Sequence, residues 1–203
     1  MSARTRRAPL VAALAAVSAL ALSACSSSSD IEEKASVEAG GQPLKVDTSP
    51  DQHRVHAKES KAAEALLPPA VKADGVLTVA TTPFSAPLDF YADDNKTPIG
   101  NETDIAQLVA DALGLKLQLV PTAWENWPLA TQSGQVEATV ANVTVTEKRK
   151  ELFDFSSYRV DNLGFLAQAH SKLEITKPED VAGLRIAVGS GTNQEKILSL
   201  IHI

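Results

Sequence analysis

Apolar and polar positions follow two alternating patterns from about Val71 onward. Short runs of β-branched and apolar residues predict strands, and apolar residues recurring every three or four positions predict amphipathic helices. The predicted strands span residues 75–81, 115–121, 136–141, 163–169 and 184–188. Strands that alternate with helices predict an α/β fold with a largely parallel sheet.

Several helix starts and stops can also be located. The clearest helix spans residues 104–113, where the apolar residues keep a 3.6-residue spacing and Gly114 provides a C-terminal stop. A short helix over 57–67 should stop at Pro68 and Pro69. Capping boxes, in which a threonine precedes a glutamate by three positions, are predicted at Thr122, Thr144, Thr176 and Thr192, with a weaker variant at Asn101…Asp104.

The first 25 residues have the pattern of a targeting signal. Three arginines precede an uncharged stretch over 8–24, which is shorter than the ~20 apolar residues that span a bilayer. The run Leu22-Ser23-Ala24-Cys25 resembles the bacterial lipobox, which implies cleavage after Ala24 and acylation of Cys25. Two or more acyl chains would anchor the protein to the cell membrane, outside the cytoplasm. A free cysteine in an ordinary signal peptide is the alternative.

The segment that follows the signal lacks apolar periodicity. Residues 26–57 contain four consecutive serines and a glycine pair, which predicts a disordered spacer. We therefore divide the chain into a signal peptide (1–24), a lipid-anchored tether with a short helix (25–68) and a folded body from residue 69. His53 and His56, three positions apart in the spacer, are interpreted as solvated side chains rather than metal ligands.

Composition excludes several classes of function. The chain has 19 basic and 25 acidic residues, a net charge of −6, so it lacks the clustered cations that nucleic acid binding requires. One cysteine and four scattered histidines predict no metal site. No combination of nucleophile and base is visible, and we expect neither catalysis nor a cofactor.

Two strand-to-helix junctions could bind an anion. At residues 141–149, free N–H groups at a helix start and the guanidinium of Arg149 could hold a carboxylate, although a self-paired charged helix face is the more ordinary reading. At residues 188–195, Gly189 and Gly191 precede a cap at Thr192. Gln194 stands where a dinucleotide motif needs its third glycine, so a plain capped turn is equally plausible there.

Seven segments in order resemble the amino-acid-type substrate-binding proteins of bacterial ABC transporters, known as solute-binding family three. The similarity covers residues 75–200 and rests on the set rather than on any single motif. The matching segments are residues 75–81, 98–106, Trp124 with 132–134, 144–149, 153–156, 178–183 and 191–194.

The resemblance implies a periplasmic-binding-protein-like fold of two lobes that close on a small ligand. It assigns Arg149 to the ligand carboxylate, with Asn142 and Thr144 hydrogen-bonding nearby. Trp124 would flank the ligand side chain. The second lobe would contribute Thr192, Asn193 and Gln194. Thr82 and Ser85 replace the family's usual acidic and aromatic residues and Phe84 is displaced by one position, which leaves the ligand class open.

The resemblance also implies a function and partners. We expect a monomeric, lipid-anchored receptor that passes an amino acid or similar carboxylate to an ABC permease. The alternatives are a dehydratase on the same fold and a remnant that binds nothing. Lobe one (69–160) would be nearly complete. Residues 161–203 would form the hinge and a partial lobe two, because the chain stops within a helix that has no cap, and we expect a truncated product or a fragment of a longer frame.

Overall fold

The computed structural model of the chain describes residues 46–201. The predicted signal peptide, Cys25 and most of the predicted spacer lie outside these residues. No helix between residues 46 and 201 is long and apolar enough to cross a membrane.

Three parallel strands form the central sheet. In chain order the strands are β1 (Val76–Thr81), β2 (Phe90–Tyr91), β3 (Pro98–Ile99), β4 (Lys116–Pro121) and β5 (Ala138–Thr139). The middle strand is β1, which pairs in parallel with β4 on one side and β5 on the other. Strands β2 and β3 form a separate antiparallel pair. The predicted α/β fold with a parallel sheet is confirmed.

The described residues also form six helices and two 3-10 turns. The helices are α1 (Lys61–Glu64), α2 (Pro69–Asp74), α3 (Asn101–Ala112), α4 (Trp127–Gln132), α5 (Glu147–Lys150) and α6 (Asn193–Leu200). The 3-10 turns span Trp124–Asn126 and Pro178–Val181. Pro69 does not end a helix as predicted. It begins α2 instead, because the first helical position needs no N–H donor.

The main core lies between α3 and the sheet. Ala106 and Ala110 of α3 pack against Leu77 and Val79 of β1 and against Leu115. Their small side chains let the helix approach the sheet closely. Gly114, at φ +69°, ends the helix in the left-handed conformation that glycine adopts without a steric penalty. The stop of this helix agrees with the sequence prediction. Its core face does not, because the buried apolar residues are the alanines at 106 and 110, whereas Val109 of the predicted apolar stripe is exposed.

Two of the predicted strands are wrong, and a third is shortened. Neither 163–169 nor 184–188 pairs with any strand among the described residues, and Leu166 is fully exposed. The segment 136–141 is reduced to Ala138–Thr139. A strand needs a partner for its backbone N–H and C=O groups, and local sequence does not specify that partner.

The capping predictions have mixed outcomes. At α6 the prediction is confirmed, since Thr192 Oγ1 accepts from the N–H of Glu195 (3.2 Å). Helix α5 is capped by Thr146, not Thr144, because the chain is still extended at Thr146. The hydroxyl groups of Thr122 and Thr176 donate to Val120 O and Asp180 Oδ2 instead of capping a helix. Helix α3 starts without a side-chain cap.

The segment that leads into α1 differs from the predicted spacer. Arg54 pairs with Asp104 of α3 (3.0 Å) and donates to the carbonyl of Pro98 (3.1 Å). His56 Nδ1 lies 2.7 Å from Asp111 of the same helix. Arg54 and His56 thus attach this segment to the folded body, because their side chains meet acidic residues of α3.

Candidate functional site

Loops after three parallel strands converge at one edge of the sheet. The loop after β1 contains Phe84 and Ser85, the loop after β4 contains Trp124, and the loop after β5 contains Asn142 and Thr144. Because β1, β4 and β5 are parallel, their carboxyl ends meet at the same edge. In open α/β sheets this edge is where ligands bind.

Two adjoining cavities lie beside these loops. The first, here called the strand-end cavity, has a volume of about 550 Å³ and is lined by the loop after β5, residues 153–161 and Asn193. The second, here called the tryptophan cavity, has a volume of about 400 Å³ and contains Trp124, Arg149 and Gly191. Trp127 and Phe153 line both cavities and separate them.

Arg149 lies in the tryptophan cavity against two aromatic rings. Its guanidinium carbon is 5.7 Å from the ring centroid of Trp124 and 5.5 Å from that of Trp127. Nη1 donates to the carbonyl of Thr144 (2.9 Å) and Nη2 to the carbonyl of Gly191 (3.3 Å). The side chain therefore connects the loop after β5 with the glycine turn before α6.

The charge of Arg149 has no carboxylate partner within residues 46–201. Its recorded neighbours are two backbone carbonyls and two aromatic faces, all of them neutral. Burial lowers the pKa of Arg149, although a guanidinium stays protonated at any physiological pH. A partly desolvated cation with only neutral partners favours an incoming anion.

The predicted site residues divide into three groups. Trp124 and Arg149 share the tryptophan cavity, with Gly191 beside them. Asn142, Thr144 and Asn193 line the strand-end cavity. The remaining predicted residues, Phe84, Ser85, Thr192 and Gln194, line neither cavity.

Each residue of the third group has another position. Phe84 is 74% exposed, and Ser85 forms an isolated bridge with Asp89 within the loop after β1. Thr192 caps α6 and Gln194 lies exposed in its first turn. The contacts of these four residues offer no direct support for ligand binding, and their assignment stays a prediction.

The sequence analysis missed a charged cluster beside the strand-end cavity. Glu102, fully buried in the first turn of α3, accepts from Arg159 Nη1 (2.5 Å), from the Tyr158 hydroxyl and from the backbone N–H of Asn142 (3.2 Å). Arg159 Nε also donates to both carboxylate oxygens of Asp161 (2.9 Å each). The cluster joins α3 to residues 158–161.

This cluster shifts the proton equilibria of its members. Hydrogen bonding to Asp161 raises the pKa of Arg159 further, and Glu102 contributes in the same direction. Burial raises the pKa of Tyr158, and its hydrogen bond to Glu102 adds to that effect. Only the glutamate at the start of a predicted helix could have been noted in the sequence. Its partners Tyr158 and Arg159 are 56 and 57 residues away, and no local sequence pattern predicts these contacts.

A second buried carboxylate closes the loop after β1. Asp89 Oδ2 accepts from the backbone N–H of Thr82 (2.7 Å) and from the Thr81 hydroxyl, while Oδ1 has no partner among the described residues. Burial raises the pKa of Asp89 to about 6 against the lowering effect of these hydrogen bonds, and the negative charge of Glu102 raises it further. No group of three or more metal-ligating side chains occurs within residues 46–201.

Asp89 should make the protein less stable as the pH rises through the range from 3.8 to about 6. Within that range the folded protein holds a proton that the unfolded chain has lost, so the free energy of unfolding decreases with increasing pH. The decrease due to this one group should be about 2–3 kcal/mol. We expect Asp89→Asn to remove this decrease in the free energy of unfolding. The measurement is urea unfolding at pH 4.5 and 7.5.

The matched control for this measurement is Asp74→Asn, which alters an exposed carboxylate at the end of α2. This variant should keep the pH dependence of the unmodified chain. If Asp89→Asn also keeps it, the buried carboxylate is not the group responsible.

Comparison with known proteins identifies the family. The sequence profile of the bacterial extracellular solute-binding proteins, family 3, matches residues 77–196. The L-cystine-binding protein TcyJ of Escherichia coli K12 is 33% identical over 129 residues, which are 63% of this chain and 48% of TcyJ. The arginine-binding protein ArgT of Corynebacterium glutamicum is 29% identical over 132 residues, 65% of this chain and 43% of ArgT.

A solved structure agrees with the fold. An ancestral arginine-binding protein bound to arginine superposes with a TM-score of 0.53 at 26% identity, over 63% of this chain and 56% of the other. The fold is thus periplasmic-binding-protein-like, and the chain spans about half the length of the curated relatives it matches. Because the family profile covers more than half of its residues, this chain belongs to the bacterial extracellular solute-binding proteins, family 3.

Proposed function

We propose that the protein is an extracytoplasmic receptor that binds an amino acid or a similar small carboxylate and delivers it to an ABC import permease. Membership of the family supports capture of a solute. Relatives named for binding L-cystine and arginine support an amino acid as the ligand class. Binding involves no covalent chemistry, so the protein acts as a carrier and not as an enzyme.

The environment of Arg149 is the observation that carries this proposal. The side chain is half-buried, its guanidinium lies against two tryptophan rings, and it donates only to neutral carbonyls. A ligand carboxylate would replace those carbonyls with charged acceptors. A hydrogen bond to a charged group contributes about 1.5–3 kcal/mol to the binding free energy. The ligand would lie against Trp124 and extend toward Asn142 and Thr144 in the adjoining cavity.

The anchor and the partners belong to the same proposal. Acylation of Cys25, predicted from the lipobox, would hold the receptor at the outer face of the cell membrane beside its permease. The receptor would act as a monomer there, without a cofactor. The proximity of the membrane keeps a captured ligand close to its transporter.

Replacing Arg149 with alanine should abolish most ligand binding. Loss of a charged, two-pronged contact of about 2.7 kcal/mol corresponds to a roughly 100-fold weaker affinity. The measurement is isothermal titration calorimetry with the twenty amino acids and L-cystine. If the unmodified chain binds none of them, the receptor proposal is wrong.

Lys150→Ala is the matched control for the calorimetry. Lys150 is the next residue in α5, pairs with Glu147 at the surface and lines neither cavity. It should leave the affinity unchanged. An Arg149→Ala variant that binds as tightly as the control would show that Arg149 does not hold the carboxylate.

A further inference from the structure

The main chain at Asn142 is held in an unusual conformation by the charged cluster. Asn142 has a φ of +52°, in the left-handed region that asparagine tolerates better than most residues. Its backbone N–H donates to the buried Glu102 (3.2 Å). The loop after β5 is therefore attached to α3 at the residue that leads into the strand-end cavity.

The side chain of Asn142 is oriented by Arg159. Arg159 Nη2 donates to Asn142 Oδ1 across 2.7 Å. A guanidinium offers only donors, so the amide must present its oxygen to Arg159 and turn its NH2 group away. That NH2 group has no recorded partner within residues 46–201, and Asn142 is an exposed residue lining the strand-end cavity.

Arg159 itself is not available to bind an anion. Its charge is already balanced by Glu102 and Asp161, and its side chain is only 22% exposed. Arg149, in contrast, has only neutral recorded partners. The two arginines at the sheet edge therefore have different roles, although both lie within reach of a cavity.

We propose that Arg159 is a positioning residue of the ligand site, which orients the Asn142 amide so that its NH2 group donates to an acceptor atom of the ligand. This inference rests on the proposed function, because it assumes that a small carboxylate occupies the adjoining cavities. It deepens that function by assigning the strand-end cavity a donor. The ligand therefore carries a carboxylate or carbonyl oxygen on that side.

A double-mutant cycle tests the proposal with L-arginine and L-cystine as probes. Asn142→Gly removes the amide and keeps the backbone, since glycine accepts a positive φ. Arg159→Lys keeps the charge, but an ammonium group cannot contact Glu102, Asp161 and Asn142 in one plane. Each variant should lower the affinity roughly tenfold, and the double variant should lose no more than either alone. Additive losses would overturn the proposal.

A second variant leaves the side chains of Glu102, Tyr158, Arg159 and Asp161 unchanged. Asn142→Asp keeps the acceptor for Arg159 but places a carboxylate oxygen where the NH2 group was. Affinity for the probes should drop at least tenfold while the unfolding midpoint stays the same. Asn162→Asp adds the same charge at a nearby exposed residue and should leave affinity unchanged. Equal affinities of the two variants would overturn the proposal.

Nuclear magnetic resonance separates this inference from the proposed function. The Asn142 side-chain NH2 resonances, assigned by their absence in Asn142→Gly, report the hydrogen bond to Arg159 without any ligand. They should shift in Arg159→Lys. Unchanged resonances would overturn the positioning role even if amino acids bind. If the resonances shift in Arg159→Lys but neither probe binds, Arg159 still orients the amide and the proposed receptor function is wrong.

Discussion

Replacing Glu102 with alanine is expected to destabilise the protein by about 3–5 kcal/mol, the usual cost of removing one partner of a buried ion pair. Glu102 is fully buried, and its loss leaves Arg159, Tyr158 and the Asn142 N–H without their common acceptor. Equilibrium urea unfolding measures the change.

Two companion variants show whether charge or volume is responsible. Glu102→Gln keeps the size and one acceptor oxygen, so we expect it to lose about half as much stability as alanine. Asp104→Ala removes the other carboxylate in the same helical turn, which pairs with Arg54 but is 44% exposed, and should cost less than about 1 kcal/mol. A Glu102→Ala variant no less stable than Asp104→Ala would show that the cluster does not hold the fold together.

Replacing Trp127 with alanine should also cost about 3–5 kcal/mol, because a large side chain would leave a cavity behind. Trp127 is only 4% exposed and packs against Phe153, with ring centroids 5.1 Å apart, and against Trp124 at 6.2 Å. Its ring also forms one wall of the Arg149 site. Thermal and urea unfolding measure the loss.

Trp124→Ala is the matched control, because Trp124 is the chain's other tryptophan and is only partly buried. It should cost clearly less stability than Trp127→Ala. Trp127→Phe should recover part of the loss by keeping an aromatic ring against Phe153. If the two alanine variants are equally stable, Trp127 does not form the aromatic core of this region.

Elements with a strong local signal were predictable from the sequence. The parallel strands β1 and β4, the helix α3 and its stop at Gly114 follow from apolar spacing and from glycine's freedom at positive φ. The position of Arg149 near a helix start follows from a local motif. The family also follows from the order of short segments, and the profile match confirms it.

Features that depend on distant partners could not be predicted. The segments 163–169 and 184–188 have the composition of strands, yet no described strand pairs with them. Thr144 and Thr146 both precede a helix start, and only the backbone conformation decides that Thr146 caps it.

The sequence by itself determined the α/β class, the strands β1 and β4 with helix α3, the family and the candidate arginine at a helix start, because each depends on residues close together in the chain. Only the tertiary structure decided that Arg149 lies against two tryptophans, that Arg159 is paired with Glu102 and that Asp89 is buried. Those features depend on contacts between side chains that are tens of residues apart in the sequence. Burial and charge pairing of this kind arise only when the chain has folded.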